Sequence, residues 1–194
     1  MDSRKVVVIA GPTGSGETTV TNEIVRRFPK RVARLVTATT RAPRSGEKHG
    51  IDYYFFAPEE FTTLDEKGDI LEKTYIANRD TYYGTLASDL NDKIASGKII
   101  IVNPDIVGAR FYKENFGATT IFIVPETINA LEHRIRERNP ELPDEEIAKR
   151  RENARSEIRD EESFYDYKVM NVDGKFEKTV DEVLAILKKE GYNL

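Results

Sequence analysis

The eight residues from Gly11 to Thr18 constrain the fold of this chain more than any other segment. They read Gly-Pro-Thr-Gly-Ser-Gly-Glu-Thr, which fits the phosphate-loop pattern G-x-x-x-x-G-K-[S/T] except that Glu17 stands at the lysine position. The apolar run 5–10 before the loop predicts a buried strand, and residues 18–28 after it predict an amphipathic helix. This order of elements is the context that the motif requires, so we predict that backbone N–H groups of the loop bind nucleotide phosphates.

Glu17 changes the charge of this loop. In the usual motif the lysine reaches the β- and γ-phosphates and the following hydroxyl binds Mg²⁺, which makes Thr18 the predicted metal ligand. Two unit charges 4 Å apart interact by about 4 kcal/mol at an effective dielectric constant near 20, so a carboxylate aimed at the phosphates would weaken binding considerably. The sequence leaves three alternatives open: the side chain turns away, binds a cation or pairs with an arginine.

Composition excludes several other kinds of protein. A chain of 194 residues predicts one globular unit, and its formal charge of −4 argues against general binding to nucleic acid. It contains no cysteine and only two histidines, which excludes disulfides, a catalytic thiol, and thiolate or histidine-rich metal sites. No apolar run is long enough for a secretory signal or a membrane span, so we expect a soluble cytoplasmic protein without a membrane partner.

Strand-like and helix-like runs alternate along most of the chain. Further strands are predicted at 31–36, 98–102, 119–124 and 167–172, and helices at 86–95, 105–116, 126–138, 144–164 and 180–189. The pattern predicts an α/β fold in which helices cover both faces of a parallel sheet, with ligands at the carboxyl ends of the strands. Residues 37–85 read as a small β-rich insert, and the arginine-rich stretch 134–159 reads as two helices joined by a turn.

Residues 37–53 contain a second motif. Arg41 and Arg44 flank a proline, and their guanidinium groups suit a phosphate, although a solvated surface loop would explain them equally well. The stretch matches the monophosphate-binding signature of guanylate kinases, S-x-T-T-R-x-P-R-x-G-E-x-x-G-x-x-Y, except that Thr37 replaces the serine. The phosphate loop matches that family's G-P-[S/T]-G-x-G, and the similarity continues through segments 70–72, 82–85, 105–109, 134–138 and 147–150. The chain therefore resembles the guanylate kinase family over nearly its whole length.

The resemblance implies a single domain, 1–194, of the P-loop NTPase type. Its core would comprise 1–36, 86–133 and 160–194, with a monophosphate-binding insert at 37–85 and a helical lid at 134–159. It implies transfer of a phosphoryl group from ATP to GMP, or to dGMP, with Mg²⁺, by a monomer or a homodimer. The ATP phosphates would be bound by Gly11, Thr13, Gly14, Ser15, Gly16, Glu17, Thr18 and Thr19. GMP would be bound by Thr37, Arg41, Arg44, Tyr53, Glu72, Tyr83, Thr85 and Asp105, and the catalytic arginines would be Arg41, Arg134, Arg138 and Arg150.

The base-facing residues have a chemical logic. Guanine presents two donors, N1–H and the 2-amino group, on one edge, and a carboxylate can accept both. Adenine lacks that pair of donors and would leave the carboxylate unsatisfied. A kinase for a phosphorylated sugar is disfavoured for the same reason.

The chain also departs from the family's D-x-D-x-Q-G-A segment, where Asn103 replaces the first aspartate and Val107 the glutamine. Together with Glu17, these changes keep open a GMP-binding or protein-interaction module with little or no kinase turnover. They also permit a compensation, in which Glu17 supports Mg²⁺ while a lid arginine replaces the missing lysine.

Overall fold

The computed structural model describes residues 5–44, 46–77 and 80–194. In chain order its elements are β1 (Val6–Ala10), α1 (Glu17–Arg27), β2 (Val32–Arg34), β3 (Ala38–Thr39), β4 (Tyr54–Phe55), α2 (Pro58–Glu66), β5 (Ile70–Ile76), β6 (Thr81–Leu86), α3 (Ala87–Ala95), β7 (Ile99–Val102), α4 (Ile106–Phe116), β8 (Thr119–Pro125), α5 (Ile128–Arg138), α6 (Asp144–Glu161), β9 (Tyr167–Asn171) and α7 (Phe176–Lys189). A short 3₁₀ helix, Glu162–Phe164, follows α6.

The main sheet is parallel, as predicted, with strand order β2-β7-β1-β8-β9. Its central strand β1 is buried along its whole length because helices cover both faces. On one face Val7 and Ile9 pack against α1 and α7, and on the other face Val6 and Val8 pack against α3 and α4. The phosphate loop leaves the carboxyl end of β1, which is the edge of the sheet where ligands of such folds bind.

A second sheet, β4-β3-β6-β5, is built from residues between Ala38 and Leu86. The same segment of the chain also contains the helix α2, where the sequence analysis predicted only turns and short strands. Only Phe61 of this helix is buried, so its hydrophobic pattern is weak. Its start is instead defined by Pro58 and by Glu60, whose carboxylate accepts a hydrogen bond from the backbone N–H of Ala57 at 3.0 Å.

Several predicted boundaries were wrong by a few residues. Leu86 ends β6 with its side chain buried, whereas the prediction made it the first residue of a helix. Helix α7 begins at Phe176, four residues before the predicted start, because Phe176 packs against the main core. The predicted strand 31–36 is ordered as β only over Val32–Arg34.

Helices α5 and α6 form the hairpin predicted at 134–159. They pack through a small cluster of their own, which includes Leu131, Ile135, Ile147 and Ala154. The division of the chain into core, insert and lid stays a prediction. Within the described ranges, no helix has the length and apolar character needed to cross a bilayer.

Candidate nucleotide-binding cleft

A cleft of about 470 Å³ lies at the carboxyl edge of the main sheet, between the phosphate loop, the second sheet and the helical hairpin. Most of the predicted site residues line it, namely Gly11, Thr13, Gly14, Glu17, Thr18, Thr37, Arg41, Arg44, Tyr53, Glu72, Tyr83, Asp105, Arg138 and Arg150. Ser15 and Thr85 are fully buried beside it, while Gly16, Thr19 and Arg134 line a neighbouring cavity of about 330 Å³. The fold therefore brings both predicted phosphate-binding segments, 11–18 and 37–53, to one cavity.

The backbone of the phosphate loop requires glycine at defined points. Gly16 has φ +98°, and a Cβ atom there would lie 2.4 Å from Nδ2 of Asn171. That amide donates a hydrogen bond to the Ser15 carbonyl at 2.7 Å, so it holds the loop closely from behind. Helix α1 starts at Glu17 without a side-chain cap, which leaves its first N–H groups available to an anion.

The Glu17 carboxylate stays within the cleft wall, half-buried, and lines both cavities. The Ser15 hydroxyl donates a hydrogen bond to its Oε2 at 2.9 Å. Burial raises the pKa of Glu17, while hydrogen bonds and the positive charge of Arg138 act in the opposite direction. Among the described residues it forms no ion pair, so the structure does not contain the arginine pair considered from the sequence.

The Arg41–Arg44 segment is held by Glu47, which the sequence analysis did not include among the site residues. Arg41 Nη2 lies 3.0 Å from Glu47 Oε2, and the backbone N–H of Arg44 donates to the same oxygen at 2.8 Å. The Arg41 guanidinium also lies 5.4 Å from the centre of the Tyr53 ring, and its buried Nε has no hydrogen-bond partner in the described part of the chain. Arg44 forms no ion pair with a described residue. This segment thus presents two guanidinium groups with unused donors to the cleft.

Glu72 is held by a short chain of hydroxyl groups. Thr85 Oγ1 donates to Glu72 Oε1 at 2.7 Å and lies 2.6 Å from the hydroxyl of Tyr112, which must donate to Thr85 in return. Burial raises the pKa of Glu72 to about 7, an effect that the Thr85 hydrogen bond opposes and the charge of Asp105 reinforces. Thr85 does not line the cleft; it orients the carboxylate that does.

Asp105 caps helix α4. Its Oδ1 accepts hydrogen bonds from the backbone N–H groups of Val107 and Gly108, both at 3.0 Å. Because both bonds use the same oxygen, Oδ2 has no hydrogen bond to a described residue, and Asp105 lines the cleft.

Asn103 joins the ends of two strands. Its Nδ2 donates to the Ile9 carbonyl at 2.8 Å and to the Thr21 hydroxyl at 2.9 Å, which ties β7 to β1 and to the first turns of α1. An aspartate could not make the bond to the Ile9 carbonyl as a carboxylate, because it has no donor, although it could accept a hydrogen bond from the Thr21 hydroxyl. The amide Oδ1 is buried without a hydrogen-bond partner among the described residues, and Asn103 lines the cleft.

The four predicted catalytic arginines differ in their surroundings. Arg138 ends α5 and forms no ion pair with a described residue, but its charge acts on Glu17 and on Arg44. Arg150 is tethered to Glu146 at 3.0 Å. Arg134 contacts Asp173 at 2.5 Å and donates to the Asn171 carbonyl at 2.9 Å, so it supports the loop from the second cavity.

Comparison with known proteins agrees with this geometry. The guanylate kinase family model matches residues 3–190. A guanylate kinase of Prochlorococcus marinus is 38% identical over 186 residues, which cover 95% of this chain and 97% of that protein. A guanylate kinase of Geobacter metallireducens is 36% identical over 184 residues, covering 94% of this chain and 87% of the other.

Two solved structures resemble this chain, and one of them is a guanylate kinase. The crystal structure of guanylate kinase from Anaplasma phagocytophilum superimposes with a TM-score of 0.74 at 29% identity, covering all of this chain and 89% of that one. An SH3-kinase fragment of tight junction protein 3 has a TM-score of 0.57 at 10% identity, covering this whole chain and 60% of the fragment, and shares the fold alone. With a family model that spans nearly the whole sequence and relatives aligned end to end, this chain belongs to the guanylate kinase family of phosphotransferases.

Proposed function

We propose that this chain transfers the γ-phosphoryl group of ATP to GMP, giving ADP and GDP, and that dGMP is also an acceptor. The observation that carries the proposal is the single cleft that the phosphate loop shares with Arg41, Arg44 and Arg138. Phosphoryl transfer requires a donor and an acceptor phosphate side by side, with positive charge between them. A cavity of about 470 Å³ lined in this way meets that requirement.

The acceptor nucleotide would bind at the second sheet. Arg41, Arg44, Tyr53 and Tyr83 would hold its phosphate, because each offers a hydrogen-bond donor and all line one cavity. Glu72 and the free Oδ2 of Asp105 would accept the two donors on the guanine edge, with Thr37 as a further polar contact. Thr85 would act through Glu72, which it hydrogen-bonds.

Catalysis would depend on alignment and charge. The attacking group is an oxygen of the acceptor phosphate, which needs no general base. Arg138 is the best-positioned charge for the phosphoryl group in transit, since its field reaches Glu17 on the donor side and Arg44 on the acceptor side. Closure of the hairpin would bring Arg150 nearer to the transferred phosphoryl group and exclude water from the cleft. Arg134 would hold the phosphate loop in shape.

The residues of the cleft fit a Mg²⁺ ion bound chiefly through the nucleotide. Thr18 offers a hydroxyl, and Asn103 Oδ1 is a buried acceptor that lacks a protein partner. No group of three or more acidic, histidine or cysteine side chains suited to a metal occurs in the described part of the chain, so nucleotide and water oxygens would supply the other ligands. When bound, Mg²⁺ neutralises charge on the ATP phosphates. Glu17 is the third protein group able to support it.

A coupled assay of ADP release with ATP, Mg²⁺ and each of GMP, dGMP, AMP, CMP and UMP tests the assignment. We expect turnover with GMP and dGMP and none above background with the other three. The lid variant Arg155→Ala is the matched control, since Arg155 is an exposed arginine outside the cleft, and it should retain wild-type activity. Turnover with AMP equal to that with GMP would contradict the proposal.

The second candidate function is a GMP-binding module with little turnover, and the observation that favours it is the carboxylate of Glu17 inside the phosphate loop. Calorimetry separates the two: a module binds GMP but releases no ADP. Glu17→Lys, Asn103→Asp and the double variant test the proposed compensation through calorimetric ATP binding with and without Mg²⁺. A coupling free energy near zero between the two substitutions would contradict a shared role in metal support.

A further inference from the structure

Arg34 is a cleft residue that neither phosphate motif includes. It is the last residue of β2, where it pairs with Ile101 of β7, and its half-buried side chain lines the cleft. Val32 belongs to the core cluster on the α1 face of the sheet, whereas Leu35 belongs to the cluster on the opposite face. Since side chains alternate along a strand, Arg34 projects from the α1 face, the side on which the phosphate loop leads into its helix.

The guanidinium of Arg34 lacks a counter-ion among the described residues. Its one hydrogen bond to a described residue runs from Nη2 to the Asp52 carbonyl at 3.2 Å. Its Nε is buried and has no hydrogen-bond partner within the described ranges. Buried polar groups are nearly always hydrogen-bonded, so an unsatisfied N–H in a ligand cleft indicates an acceptor supplied from outside the chain.

The charge of Arg34 acts on the same hydroxyl group as the charge of Arg41. Burial raises the pKa of Tyr53, and the positive charges of Arg34 and Arg41 both oppose that rise. Tyr53 is one of the groups proposed above for the acceptor phosphate, and its ring contacts that of Tyr83, with centroids 6.0 Å apart. The hydrogen bond of Arg34 to the carbonyl of Asp52, the residue before Tyr53, places Arg34 at the end of the cleft where that phosphate would lie.

We propose that Arg34 is a third arginine for the acceptor phosphate, in addition to Arg41 and Arg44. This inference rests on the proposed function, because it assigns a residue to the same GMP site. The ligand group is a dianionic phosphate, and the guanidinium offers it Nε and its remaining donors as a fork. Arg34 also returns one positive charge to a cleft whose loop carries glutamate where lysine is usual.

The test compares GMP with guanosine by calorimetry, without ATP. Arg34→Gln should weaken GMP binding by roughly 10- to 150-fold, the range for a hydrogen bond to a charged group. Guanosine, which lacks the phosphate, should bind the variant within about twofold of its affinity for wild type. Arg34→Lys should recover part of the GMP affinity, since it restores the charge without the fork. Arg31→Gln is the matched control, because Arg31 is exposed next to the same strand and should affect neither ligand.

Three outcomes would overturn the inference. Unchanged GMP affinity in Arg34→Gln would remove Arg34 from the phosphate site. Equal losses for GMP and guanosine would assign it a structural role, through the Asp52 carbonyl. Absence of GMP binding to the wild-type protein would overturn both this inference and the proposed function, whereas wild-type binding with an unaffected variant would overturn the inference alone.

Discussion

GMP binding should depend on pH through Glu72. In the empty cleft, burial raises the pKa of this carboxyl group to about 7, well above its ordinary 4.5. Only the ionised form accepts both donors of guanine, so binding should weaken as pH falls through 7. With that pKa, the ionised fraction falls from about nine-tenths at pH 8 to about one-tenth at pH 6, which predicts about tenfold weaker binding at pH 6.

Calorimetric titration of GMP from pH 5.5 to 8.5 measures this effect. The phosphate of GMP itself titrates with a pKa near 6, so a control is needed that retains that ionisation. Glu72→Gln serves, because it keeps the shape of the side chain and removes its charge. The variant should bind GMP roughly 10- to 150-fold more weakly than wild type at pH 8, as expected for lost hydrogen bonds to a charged acceptor. The ratio of wild-type to variant affinity should fall about tenfold between pH 8 and pH 6.

Thr85 provides an internal check on the same reasoning. Its hydroxyl donates to Glu72 and opposes the rise in the pKa of that group. Thr85→Val should therefore move the midpoint of the pH dependence upward, whereas Thr85→Ser, which keeps the hydroxyl, should leave it unchanged. A wild-type to Glu72→Gln ratio that stays flat from pH 5.5 to 8.5 would refute the assignment of Glu72 as the carboxylate that binds the base.

Three further predictions concern the stability of the scaffold, each measured as the free energy of unfolding in urea. Gly16→Ala should cost more than Gly97→Ala, because both glycines have positive φ but only a Cβ at Gly16 meets another residue, Asn171 at 2.4 Å; equal losses would contradict the close packing of the loop. Arg134→Ala should lower stability by about 1–3 kcal/mol through its lost hydrogen bonds to carbonyl groups behind the loop; a loss under about 0.5 kcal/mol would show that these bonds contribute little. Leu131→Ala, at a fully buried position between α5 and α6, should lower the free energy of unfolding by about 2–5 kcal/mol; a loss below about 1 kcal/mol would indicate that the α5–α6 hairpin unfolds separately from the main sheet.

The features that the sequence predicted well are those with local signals. The strand, loop and helix around Gly11–Thr18 follow from consecutive apolar residues, spaced glycines and a helical period. The parallel sheet follows because its central strands are long apolar runs, as burial on both faces requires, although β8 begins with the two buried threonines Thr119 and Thr120. The boundaries that were wrong, at β2 and α7, lie where tertiary packing determines which end residues are ordered as strand or helix.

The features that the sequence missed depend on residues far apart in the chain. Tyr112 supports Thr85, and through it Glu72, from a helix 27 residues away. Asn103 binds Thr21 across 82 residues. Arg34 belongs to no motif and could be assigned to the cleft only after the strand order put β2 two strands from β1. Pairwise contacts of this kind leave no periodic signal in a single sequence.

The interaction energy between the protein's positive charges and the phosphates depends on the distance of those charges as well as on their number. Replacing lysine with glutamate at position 17 removes two charge units close to the ligand, and a charge twice as far away has about half the interaction energy. Arg34, two strands from the loop, therefore offsets about a quarter of that deficit if it lies at twice the distance. Protonation of Glu17 offsets a further part as pH falls, because burial raises the pKa of this carboxyl group and the neutral form does not repel phosphate. The charge balance thus predicts that ATP affinity rises as pH falls, in the opposite direction to GMP affinity. Because the terminal phosphate of ATP also titrates near pH 6, the measured quantity is the ratio of wild-type to Glu17→Gln affinity for ATP in calorimetric titrations at several pH values, which should rise as pH falls. A ratio that stays flat would contradict a titrating Glu17 in the phosphate loop.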